Sequence, residues 1–72
     1  MEIKDTVSFG KAIKERRKEL GYTQAYLSEC SGLSASFLSN LENGKETVEF
    51  GKAIKVAQLL AMDIYLETRG NR

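Results

Sequence analysis

Two residues that favour helix starts, Thr23 and Ser34, stand eleven positions apart with Gly32 between them, which leaves room for two short helices and a tight turn. Thr23 caps a helix running to about Ser31, with Leu27 pointing inward, and Gly32 supplies the left-handed residue that stops it. Ser34 caps the next helix, so the turn is Gly32-Leu33-Ser34. With Ala35 set at zero and about 100° per residue, Phe37, Leu38 and Leu41 fall within an arc of about 100°. Ala35, Ser36, Ser39, Asn40 and Asn43 share a separate arc of about 140°. One face is apolar, and the other carries short hydrogen-bonding side chains.

The rest of the chain reads as helices packed on this pair. Its 72 residues make one domain, 1–72, with no proline, repeat or low-complexity tract to mark a boundary. A chain this short buries only about 60% of its unfolded surface, so its core is marginal unless a partner subunit reinforces it. Ser8 is the expected cap of a first helix with Phe9, Ala12, Ile13 and Leu20 on one face and Gly21 at its end, leaving residues 1–7 as an arm. After the Asn43-Gly44 turn, a fourth turn or short helix from about Val48 leads into a long helix. Its stripe is Phe50, Ala53, Ile54, Val56, Ala57 and Leu60. Met62, Ile64, Leu66 and Thr68 then alternate with Asp63, Tyr65, Glu67 and Arg69, a strand pattern over 62–69, although so short an alternation also fits a frayed or helical tail.

Several functions lack their residues. With no histidine and a lone Cys30, the usual zinc constellations and an internal disulfide are excluded, and no metal or cofactor is expected. Cys30 has no sequence-evident base and no glycine-rich phosphate loop is present, so the chain is not expected to be an enzyme. The apolar runs are far shorter than the roughly 18 residues a membrane span needs, and the N-terminus MEIKDTV lacks a signal peptide's apolar stretch, which places the chain in the cytoplasm. The net charge of +1 does not by itself mark a nucleic-acid binder, and on charge alone a solvated, mixed-charge surface is the favoured reading. The cations are clustered, however: Lys11, Lys14, Arg16, Arg17 and Lys18 in the first helix, then Lys45, Lys52 and Lys55.

Two short helices joined by a three-residue, glycine-bearing turn meet the requirements of a helix-turn-helix, whose second helix projects into a DNA major groove. The outer arc suits that groove. The Asn40 amide matches the donor and acceptor edge of adenine, Ala35 suits a thymine methyl, and Ser34, Ser36 and Ser39 can hydrogen-bond base edges or phosphates. Periodicity alone also allows a plain solvated face.

Thr23 and Gln24, Leu27 and Ser28, Gly32, and the ending Leu41-Glu42-Asn43-Gly44-Lys45 resemble the XRE and lambda-repressor-like family over residues 8 to 61. The resemblance implies Gln24, Asn43 and Lys45 as phosphate ligands. It implies Arg17 as a structural partner of Glu42 first and a phosphate contact second. Ser28 and Ser31 stand where that family more often has alanine and an aliphatic residue.

A lone strand has no partner within its own chain, so the expected architecture is all-α: a five-helix lambda-repressor-like bundle plus a short C-terminal β-strand pairing across a homodimer through Met62, Ile64 and Leu66. FLSNLENGKETVEF followed by AIKVAQLLAMDIYLET is similar to the HipB-like branch, which implies an antitoxin and transcriptional repressor on the nucleoid. Its implied partners are a palindromic double-stranded operator and a HipA-like kinase toxin. The same residues also fit a protein-interaction module that mainly holds such a kinase, or a regulator with no toxin.

Overall fold

The structure, a computed structural model, describes residues 2–70; Met1 of the expected arm and residues 71 and 72 lie outside that range. It contains α1 (Thr6–Glu19), α2 (Gln24–Ser31), α3 (Ala35–Glu42) and α4 (Phe50–Leu59).

Local chemistry sets most of the helix ends. Asp5, not Ser8, caps α1, and the two form a capping box: Asp5 Oδ1 accepts from the Ser8 N–H at 2.8 Å, and the Ser8 hydroxyl oxygen accepts from the Asp5 N–H at 3.1 Å. The Ser8 hydrogen bonds hold the Asp5 carboxyl below its usual range. Helix α1 therefore begins at Thr6, inside the expected arm. Thr23 and Ser34 cap α2 and α3 by accepting from the Tyr26 and Phe37 N–H groups at 3.0 Å. The Gly32 stop is left-handed, with φ of 75°. At the end of α4 the chain turns through Ala61 at φ 58°, where the Met62 N–H donates to the Ala57 carbonyl at 2.9 Å, so the last carbonyls of the helix are satisfied and the chain is turned off the helix axis.

Every helix contributes to one core: Ile13 from α1, Leu27 from α2, Leu38 and Leu41 from α3, and Ala53, Val56 and Ala57 from α4 followed by Leu60. Phe9, Leu20, Phe37 and Val48 pack half-buried around it. Two cations tie neighbouring helices together at their carbonyl ends, where the helix dipole favours positive charge. Arg16 Nε donates to the Leu60 carbonyl and Lys55 Nζ to the Ser31 carbonyl, each at 2.9 Å.

Two expectations about the architecture fail. Four helices are present among the described residues, not five: Glu46 and Thr47 form a turn and Val48 a bend, with no helix between α3 and α4. The β-branched Thr47 and Val48 are poor helix formers, and the segment is held by its own turn at Gly44, φ 79°. No strand occurs among the described residues either, and residues 62–69 follow no regular element. A ladder needs a second extended segment, and the rest of the chain is helix and turn. Met62, expected on a dimer face, is half-buried against the core of its own chain. Phe50, expected in the α4 stripe, is 71% exposed. Among the described residues, no helix is long and apolar enough to cross a membrane.

Candidate nucleic-acid interface

The turn between α2 and α3 is fastened by two serines. The Ser28 hydroxyl donates to the Leu33 carbonyl, and the Leu33 N–H donates to Ser31 Oγ at 3.1 Å. Ser31 is buried, and Leu33 between them seals the core. The two hydroxyls that depart from the family pattern thus satisfy backbone groups of the turn, which fixes how α3 leaves α2. Sequence reasoning saw these serines but not their partners, because the bonds run across the turn to a carbonyl and an N–H that carry no sequence label.

Helix α3 divides as its periodicity predicts. Leu38 and Leu41 are buried and Phe37 half-buried, while Ser34, Ala35, Ser36 and Asn43 are exposed and Ser39 and Asn40 half-exposed. Asn40 and Lys45 share a shallow cleft with Phe37, Thr47, Val48 and Glu49, and the Lys45 N–H donates to the Asn40 carbonyl at 3.0 Å. The base-reading candidates thus occupy one continuous outer surface, with Asn43 and Lys45 at its carboxyl end.

That carboxyl end is braced from α1. Gly10 lies so close to α3 that a β-carbon there would stand 2.7 Å from the Glu42 carbonyl oxygen and still nearer that of Leu41. The Thr6 hydroxyl donates to the Gly44 carbonyl at 2.8 Å, and Gly44 itself packs on Val7. Nothing in the sequence flagged Thr6, which lies 38 positions from its partner.

Arg17 and Glu42 form a bidentate ion pair, Nε to Oε2 at 2.7 Å and Nη2 to Oε1 at 3.1 Å, with the residues 8% and 7% exposed. The third guanidinium nitrogen, Nη1, donates to the Tyr22 carbonyl at 2.7 Å, so each nitrogen of this buried side chain has a partner inside the fold. Gln24 completes the cluster, its Nε2 donating to Glu42 Oε1 at 3.0 Å. Burial pushes the Glu42 carboxyl up, but the hydrogen bonds from Arg17 and Gln24 and the charges of Arg17 and Lys14 outweigh it and hold it below its usual range. Hydrogen bonding to Glu42 raises Arg17 in turn. One carboxylate therefore links α1, the start of α2 and the end of α3. Of the remaining candidates, Ile64 and Leu66 lie exposed on the C-terminal tail, and Leu66 is 98% exposed.

A capped helix, a glycine-stopped three-residue turn, and a second helix with a small polar outer face define a helix-turn-helix. The helix-turn-helix family model matches residues 13–65, and the chain belongs to that family, in its XRE-type form. It is 33% identical over 70 residues to an uncharacterized HTH-type transcriptional regulator, y4mF, of Sinorhizobium fredii, covering 97% of this chain and 92% of the relative. Among solved structures it is similar to HipB in a HipB-O4 20mer complex, with a TM-score of 0.85 and 25% identity over 94% of this chain and 96% of the other. The same TM-score, identity and coverage relate it to a chain in a HipA-HipB-O2-O3 complex.

Proposed function

We propose that the chain is a repressor that binds a palindromic DNA operator as a homodimer, laying the outer arc of α3 in the major groove of each half-site. The observation that carries this reading is the arc of small and polar side chains Ser34, Ala35, Ser36, Ser39 and Asn40, backed by the core and followed directly by Asn43 and Lys45. Asn40 reads adenine, Ala35 meets a thymine methyl, and the serines bond to base edges or phosphate. Gln24 spends one amide hydrogen on Glu42 and keeps the other for a phosphate at the start of α2. Arg17 acts through Glu42 rather than on the DNA, since its side chain is buried and held by Glu42 and the Tyr22 carbonyl.

Asn40→Ala is expected to lower the preference for an operator selected from random duplexes over scrambled duplex by roughly 5- to 150-fold, the worth of one bidentate base contact of about 1–3 kcal/mol. Fluorescence anisotropy on the two duplexes measures this. An unchanged preference would move base reading off Asn40.

The dimer reading rests on Ile64, Tyr65 and Leu66, which present apolar surface that a small domain has reason to cover. A second copy is the occupant a palindromic site calls for. Analytical ultracentrifugation is expected to find a dimer for the native chain and a monomer with an intact helical spectrum for the double variant Ile64→Asp, Leu66→Asp. A native monomer with full operator affinity would remove the dimer from the reading.

A HipA-like kinase is the proposed protein partner, making the chain the antitoxin of a pair. The likeness to the chain in the HipA-HipB-O2-O3 complex supports it.

A further inference from the structure

The cation that the Arg17–Glu42 cluster leaves uncompensated is Lys14. Gly10, Lys14 and Arg17 follow the i, i+4, i+7 spacing that places side chains on one stripe of a helix. Both ends of the stripe meet the end of α3: Gly10 lies against the Leu41 and Glu42 carbonyls, and Arg17 holds the Glu42 carboxylate. Lys14, between them, is thereby carried to the edge of the surface where α3 ends and Gln24 docks, and where Asn43 and Lys45 follow. It is exposed, and among the described residues it makes no ion pair and no side-chain hydrogen bond. Its charge reaches Glu42, yet Glu42 is already matched by Arg17, so these three groups together carry a net positive charge.

We infer that Lys14 is a further sugar-phosphate ligand, contacting the DNA backbone beside the phosphate held at the start of α2; the inference rests on the DNA-binding reading above. A cation held at the edge of an interface and free of partners meets the requirement for such a contact. It fixes the position of the duplex without reading its sequence. It also widens the basic footprint of a chain whose net charge is only +1.

The test is the salt dependence of binding, measured by anisotropy on the selected operator and on scrambled duplex. Lys14→Gln is expected to weaken both by a similar factor, roughly 5- to 10-fold near 0.1 M salt, and to reduce the slope of log affinity against log salt by about one, the loss of one phosphate contact. Lys14→Arg is expected to retain the native slope. Thermal unfolding of the glutamine variant, whose altered side chain is exposed, should match that of the native chain. If the native chain binds duplex but Lys14→Gln leaves the slope unchanged, the Lys14 assignment falls while the DNA reading stands. A loss confined to the operator would make Lys14 a base contact and overturn it as well. If the native chain binds neither duplex, both readings fall.

Discussion

Gly10→Ala is expected to destabilise the fold by about 2–4 kcal/mol and to lower its melting temperature by roughly 10–25 °C, at about 4–8 °C per kcal/mol for a chain of this length. Helix propensity acts the other way, since alanine in a helix interior is favoured over glycine by about 0.5–1 kcal/mol. Sterics decide the sign. The added β-carbon would meet the backbone carbonyls of Leu41 and Glu42, with Glu42 C at 2.9 Å, and backbone cannot swing aside as a side-chain tip can. Relief requires α1 and α3 to separate, which opens the core between Ile13 and Leu41 and strains the Arg17–Glu42 pair. A domain of this size holds on the order of 4–11 kcal/mol in all, so a large share is lost. Circular-dichroism melting checks it. A variant melting at or above the native temperature would mean that propensity outweighs the contact and that α1 does not press on α3.

The same close approach shows what a sequence can and cannot declare about this fold. The α2–turn–α3 unit was legible because its signals are local: Thr23 and Ser34 each cap through their own N3 N–H, and Gly32 stops its helix by its own backbone angle. The start of α1 was misplaced because Asp5 and Ser8 are both capping residues, and only their reciprocal bonds show which is the cap and which the third helical residue. The alternation from Met62 has the period of a strand, yet pairing is a property of two segments and this chain supplies one.

The site divides along the same line. The outer arc of α3 follows from helical period alone, whereas its bracing by Thr6, Gly10 and Gly44 depends on α1 reaching across more than thirty residues of sequence. Arg17 and Glu42 were matched through family resemblance. Gln24 as the third member was not foreseen, because nothing local ties it to a residue 18 positions on. Lys14 escaped notice for the opposite reason, being one of five cations in its helix with only the packing of α1 to single it out.

Breaking the buried ion pair is expected to be at least as damaging as crowding Gly10. Glu42→Ala strands the Arg17 guanidinium in an almost closed site and removes the acceptor of Gln24, a loss of about 3–5 kcal/mol. Replacing both partners, Arg17→Met with Glu42→Leu, is expected to cost far less, since no charge is then left alone in the interior. Chemical denaturation of the three variants at neutral pH measures the difference, and equal losses for the single and the double would deny the pair its electrostatic role. Proton linkage gives a second handle. The folded Glu42 carboxyl sits below the ordinary value of 4.5, so the folded protein binds that proton less readily than the unfolded chain. Its contribution is complete above that value and is lost as pH falls through the lower, folded one. Stability measured from pH 6 downward should therefore decline through the acid range in the native chain, and Glu42→Gln, which has no proton to take up, should lack that part of the decline. Because Glu42 also holds Gln24, the start of α2 is expected to loosen in the same acid window, so the phosphate contact proposed for Gln24 should be lost together with fold stability.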